Sequence, residues 1–120
     1  MLAALSRLKQ EGISAKCLII GDGPCRGEIE RKIRNLGLES DAAITGFQGD
    51  VRHFIAACTC LAILSSRVEA FSLAPLEAVA MGKAIVMSNI GGAPEQIVSG
   101  YNGYLYSRGD ISALAHALTL

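Results

Sequence analysis

Short apolar runs alternate with amphipathic stretches along the whole chain, and this alternation restricts the fold more than any other feature. Residues 17–20, 42–45, 60–64, 84–87 and 104–106 are brief, continuous and largely apolar. Such runs are the mark of strands in a parallel sheet covered on both faces. Between them lie helical patterns. Leu2, Leu5 and Leu8 recur at helical spacing before Gly12, and Ile29, Ile33 and Leu36 do so before Gly37. Asp50 is placed to cap a helix with Val51, Phe54 and Ile55 inward; Pro94 starts another, ended by Ile97 and Val98, and Asp110 caps a last one with Leu114 and Leu118 inward. On the outer face of the second helix, Glu28 with Lys32 and Glu30 with Arg34 have the spacing of favourable ion pairs. The expectation is an α/β protein: a doubly wound, Rossmann-like parallel sheet with helices on both faces and right-handed crossovers, forming one domain over residues 1–120.

Composition supports that class. With 120 residues, 51% hydrophobic and 18% charged, the chain has enough apolar material for a two-layer core. Its formal net charge is zero, and three Tyr, three Phe and no Trp make no stacking platform, so neither nucleic acid nor an anionic membrane surface is indicated as a partner. No apolar run reaches the ~20 residues of a spanning helix and the start lacks a signal-peptide layout, which leads to the expectation of a cytoplasmic protein. Cys17, Cys25, Cys58 and Cys60 form no spaced zinc set with histidine, and His116 has no ligand partner at useful spacing, so no metal is expected and the cysteines read as free, buried thiols.

The stretch most suggestive of chemistry is residues 65–82, SSRVEAFSLAPLEAVAMG. It runs from the end of the third strand through a loop into a helix for which Ser72 is the expected N-cap, Pro75 lies in the first turn and Gly82 is the stop. The backbone amides of Phe71, Ser72, Leu73 and Ala74 then offer an anion site at the positive end of a helix, suited to a diphosphate. Glu69 in the loop and Glu77 one turn into the helix are ionised acceptors, suited to diols. Taken alone, Glu77 also reads as a helix-dipole glutamate and Glu69 as a solvated loop residue.

Gly21-Asp22-Gly23-Pro24 invites a dinucleotide reading, which fails. The third glycine of G-x-G-x-x-G would fall at position 26, which is Arg26, and no acidic residue about 20 positions on closes a second strand. The turn instead serves tight packing where a strand end borders a ligand cleft.

Taken together, these motifs resemble a known family. Glu69-Ala70-Phe71-Ser72-Leu73, then Glu77-Ala78-Val79-Ala80-Met81-Gly82, then Gly91-Gly92-Ala93-Pro94-Glu95 look like the C-terminal, donor-binding half of retaining GT-B glycosyltransferases of family 4. Ile20 to Pro24, Gly46 and Asn102-Gly103 extend the likeness over nearly the whole chain in the same order. The resemblance implies transfer of a sugar from a UDP-, GDP- or ADP-sugar donor without a metal. In it Glu69 is the catalytic residue that holds the transferred sugar, Glu77 takes the ribose diol, the amides from Phe71 to Ala74 take the phosphates, and Gln48, with His53 a further candidate, lines the base pocket. It also implies a sheet of strand order 3-2-1-4-5-6. Five strands are legible here, and the missing one is the first, after which the family's loop carries a basic pair. Arg67 and Lys83 do not match that pair. The chain is therefore expected to be a fragment, inactive by itself, whose partner is an N-terminal acceptor domain. Position 70 is Ala where Gly is commonest and position 72 is Ser rather than Gly, which leaves the donor sugar open. The alternatives are a non-catalytic nucleotide-sugar-binding module, the donor half of a GT-B epimerase or hydrolase, and a plain regulatory domain with Glu69 and Glu77 apart.

Overall fold

Helix and strand alternate as the apolar runs require. The computed structural model describes residues 1–66 and 71–120. The order is α1 (Leu2–Gln10), β1 (Cys17–Ile20), α2 (Arg26–Asn35), β2 (Ala42–Gly46), α3 (Arg52–Ala57), β3 (Cys60–Ile63), α4 (Ala74–Ala80), β4 (Ala84–Ser88), α5 (Ala93–Gln96), β5 (Gly103–Tyr106) and α6 (Ile111–Ala117). All ladders among them are parallel: β1 with β2, and β3, β4 and β5 in that order. The chain divides into two units, Met1–Val51 and Arg52–Leu120.

In the first unit, Cys17 lies opposite Ala42 and Ile19 opposite Ile44, so these side chains share one face of the ladder. Leu2 and Leu5 of α1 and Ile29 and Ile33 of α2 cluster with them, around a fully buried Leu38. Leu18, on the other face, is exposed, so β1 is not the doubly covered strand its composition suggests.

Asp41 joins the parts of this unit. Its carboxylate accepts from Lys16 Nζ at 2.7 Å and Lys9 Nζ at 2.8 Å, while its carbonyl accepts from the Cys17 amide at 2.7 Å. The lysines also donate to the carbonyls of Ser40 and Gly37. The hydrogen bonds from Lys16 and then Lys9 hold the carboxyl down to about 2. On α2, Arg26 takes Glu30 through Nε and Asp22 through Nη1 in place of the expected Glu30–Arg34 pair, and among the described residues Glu28 and Lys32 form no ion pair. One planar guanidinium serves the two carboxylates through separate nitrogens of its fork.

In the second unit β4 is paired on both sides. Ile85, Val86, Met87 and Ser88 are all buried, and since successive residues point to opposite faces, both faces of this strand are covered. Burying side chains such as Ile85 and Met87 contributes roughly 1.5–3 kcal/mol each. β3 was expected to be buried on both faces, yet all four of its residues are half-buried. Among the described residues its ladder is to β4 alone. α4 packs on β3 and β4, α6 on β5, and the Asp110 carboxylate caps α6 by accepting from the Ala113 amide at 2.8 Å.

The Asn102-Gly103 pair has a packing cause. Gly103 stands opposite Ile85, and a Cβ there would run into the Ile85 carbonyl. Asn102 closes the turn by accepting from the Val98 amide and donating to the Gln96 carbonyl. The cysteines form no disulfide among the described residues and are not buried: Cys25 is exposed beside α2 and the other three are half-buried. Burial, and secondarily the nearby Cys58, pushes the Cys60 thiol up.

Two outcomes follow. Because the Asp41 carboxyl titrates lower in the fold than in the unfolded chain, its contribution is complete above pH ~4 and is lost as pH falls through about 2. In acid denaturation followed by circular dichroism, Asp41→Asn should lose that part of the pH dependence; an unchanged profile would show that the two lysines do not stabilise the ionised form. Gly103→Ala should destabilise the chain by about 1–3 kcal/mol in urea unfolding, as overpacking against backbone does.

Candidate functional site

α4 begins one residue later than the sequence suggests. Its N-cap is Leu73, which has no capping side chain, and the Leu73 carbonyl accepts from the Glu77 amide at 3.1 Å. Ser72 is not the cap, because its carbonyl is engaged elsewhere: it accepts from Gln96 Nε2 at 2.8 Å, and both residues are buried. Pro75 stays in the first turn, and Gly82, at φ 70°, closes the helix with its amide on the Val79 carbonyl.

Among the described residues, the amides of Phe71, Ser72, Leu73 and Ala74 find no hydrogen-bond acceptor; those of Leu73 and Ala74 are left so by the start of the helix, and Phe71 and Ser72 precede its N-cap. Phe71 and Leu73 are exposed on either side of buried Ser72, and Glu77 is exposed one turn on. Ser72, Leu73 and Glu77 thus lie along one helix start. Glu69 and Ala70 fall outside the described residues. Gln48 belongs to the first unit, half-buried after β2, where its Nε2 donates to the Thr45 carbonyl at 3.2 Å. His53 is exposed on α3 with its ring 4.1 Å from that of Phe54. Lys83 Nζ is occupied by the Ala56 carbonyl at 2.7 Å.

Sequence reading missed three side chains that hold the backbone on either side of residues 67–70. Ser88 Oγ, fully buried at the end of β4, donates to the Ser65 carbonyl at 3.0 Å. Arg108 Nη1, in the loop after β5, donates to the Ser66 carbonyl at 2.7 Å. Gln96, at the end of α5, holds Ser72. Ser88 is also hydrogen-bonded to Tyr106, whose phenol burial pushes above its usual range. The one hint in the sequence was a serine closing an otherwise apolar run. Ser88 and Arg108 sit at the carboxyl end of a parallel strand and in the loop after another, the edge at which α/β sheets place ligands. Among the described residues no three His, Cys, Asp or Glu side chains group as a metal site, and no helix is long and apolar enough to cross a membrane.

This α/β arrangement, with parallel sheets flanked by helices, is that of GT-B glycosyltransferases. All 120 residues match the family of glycosyl transferases group 1, and the chain belongs to it. Among the curated relatives, N-acetyl-alpha-D-glucosaminyl L-malate synthase of Bacillus anthracis is 36% identical over 103 residues, covering 86% of this chain and 27% of that protein. GDP-mannose-dependent alpha-(1-6)-phosphatidylinositol dimannoside mannosyltransferase of Mycobacterium tuberculosis is 34% identical over 118 residues, covering 96% of this chain and 29% of the relative. Among solved structures, Anabaena Alr3699/HepE in complex with UDP superposes with a TM-score of 0.88 at 29% identity, over 98% of this chain and 33% of that one. A glycosyltransferase from Rickettsia africae gives a TM-score of 0.90 at 29% identity, over 98% and 32%. The chain therefore spans about a third or less of the length of these relatives.

Ser88→Ala should cost about 1 kcal/mol in urea unfolding, the net worth of one hydrogen bond. A variant as stable as the parent would mean that the Ser65 carbonyl does not depend on Ser88.

Proposed function

We propose that this chain is the donor-binding part of a retaining, family 4 glycosyltransferase and that it binds a nucleoside diphosphate sugar at the start of α4. The observation that carries the reading is the set of unpaired amides from Phe71 to Ala74 with Glu77 exposed one turn beyond. Amides directed outwards at the positive end of a helix stabilise a diphosphate without a metal. The Glu77 carboxylate, which when ionised accepts and does not donate, then takes the two hydroxyls of the ribose. Glu69, eight positions earlier, holds the transferred sugar and is the catalytic residue of this half. Likeness to a UDP complex and to a GDP-mannose-dependent enzyme supports a nucleotide sugar as the donor class.

In this reading the chain's chemical contribution is electrostatic. As the glycosidic bond to the donor breaks, negative charge develops on the departing diphosphate, and preorganised amides stabilise it without reorganising. Residues that bind the acceptor and a basic pair that neutralises the diphosphate belong to the remainder of a longer enzyme, of whose relatives this chain spans about a third. The 120 residues alone should therefore bind donor and transfer negligibly.

Calorimetric titration with UDP, GDP and ADP tests this. One of the three should bind, and Glu77→Ala should weaken it by ~1–3 kcal/mol, the loss expected for hydrogen bonds to a charged group. Binding of none, or equal binding by the variant, would remove the start of α4 as the nucleotide site in this chain.

A further inference from the structure

α4 starts without a cap of its own, and the side chain that fixes its approach comes from another element. We propose that Gln96 is a positioning residue for donor binding. By donating to the Ser72 carbonyl it sets the path of the chain into α4, and with it the direction of the Leu73 and Ala74 amides. This rests on the reading of α4 as the donor site.

Three observations carry it. The Gln96 side chain projects from a backbone held from two directions: its carbonyl accepts from Asn102 Nδ2 at 2.9 Å, and the next amide, of Ile97, donates to the Ala93 carbonyl at 3.1 Å. The N-cap residue Leu73 offers no side-chain oxygen to the first turn, so the usual means of fixing a helix start is lacking and the 2.8 Å bond from Gln96 to the preceding residue takes its place. Finally, Gln96 is 9% exposed and its Oε1 has no hydrogen-bond partner among the described residues. An unpaired buried acceptor is a cost to the fold, and a leucine at this place would avoid it. The amide is accordingly poorly explained by stability and well explained by what its Nε2 holds.

The test uses the 120-residue chain and two variants. Gln96→Leu removes the orphaned oxygen but leaves the Ser72 carbonyl without its donor, so the two costs offset and the melting temperature should stay within a few degrees of the parent. The exchange of the Glu77 amide, which donates to the Leu73 carbonyl in the first turn, should quicken about tenfold, and the dissociation constant of whichever of UDP, GDP or ADP the parent binds should rise about tenfold.

Gln96→Glu adds a readout that a merely space-filling role would not move. Ionised, its carboxylate cannot donate to the Ser72 carbonyl; protonated, its O–H can. The Leu73 and Ala74 amide resonances of this variant should shift as the carboxyl titrates, and nucleotide affinity should return towards the parent's as pH falls, a profile the parent lacks. This variant also decides the matter if Gln96→Leu does not fold.

Parent-like exchange of the Glu77 amide in Gln96→Leu, or a Gln96→Glu variant with no such pH dependence, overturns the positioning role. If both variants behave as expected while the parent binds none of the three nucleotides, the donor reading has failed and the proposal's link to donor binding falls with it, leaving Gln96 as the anchor of α4.

Discussion

Strand β4 is the constraint on which the second unit depends. It is hydrogen-bonded to β3 on one side and β5 on the other, and four successive residues from Ile85 to Ser88 are shut off from water on alternating faces. A strand so placed admits no slip, because moving its register by one residue would exchange the side chains of both cores at once. It also demands a glycine opposite Ile85, where β5 runs too close for any side chain. In a parallel sheet all strands end on the same edge, so the pinned strand delivers Ser88 to the edge where the loops after β3 and β5 also begin.

At that edge backbone carbonyls before and after residues 67–70 are held by side chains. Ser65, Ser66 and Ser72 each accept through a carbonyl, from Ser88, Arg108 and Gln96 respectively. A loop flanked this way can offer free amides at a helix start while its ends stay fixed, which is the combination that anion binding needs. The first unit solves a different problem by similar means: Asp41 gathers Lys9 and Lys16, so one carboxylate ties α1 and the approach to β1 to the turn before β2.

Where sequence reading succeeded, the cause was local. All five strands lie within a residue of their expected bounds because short apolar runs between glycine-bearing turns have few other solutions. Asp110 caps α6 as expected because an N-cap acts on amides two or three residues away. Ser72 looked equally like a cap and is not one, since Gln96, 24 residues further on, takes its carbonyl and moves the helix start to Leu73. Glu30 was assigned to Arg34 by spacing, yet Arg26 reaches it and Asp22 together. The burial of β1 and β3 was overestimated for the same kind of reason: composition reports what a strand tolerates, whereas exposure depends on which neighbours it has.

The sequence by itself determined the α/β class, the parallel strands, the positions of the turns and the helix start that carries Glu77, because periodicity and glycine placement act over a few residues. Tertiary structure alone decided that β4 is the doubly covered strand, that Gly103 is required by Ile85, and that Ser88, Gln96 and Arg108 hold the carbonyls beside the site. Each of those is a meeting of groups more than 15 residues apart in the chain, and apolar periodicity carries no information about which distant carbonyl a side chain will find.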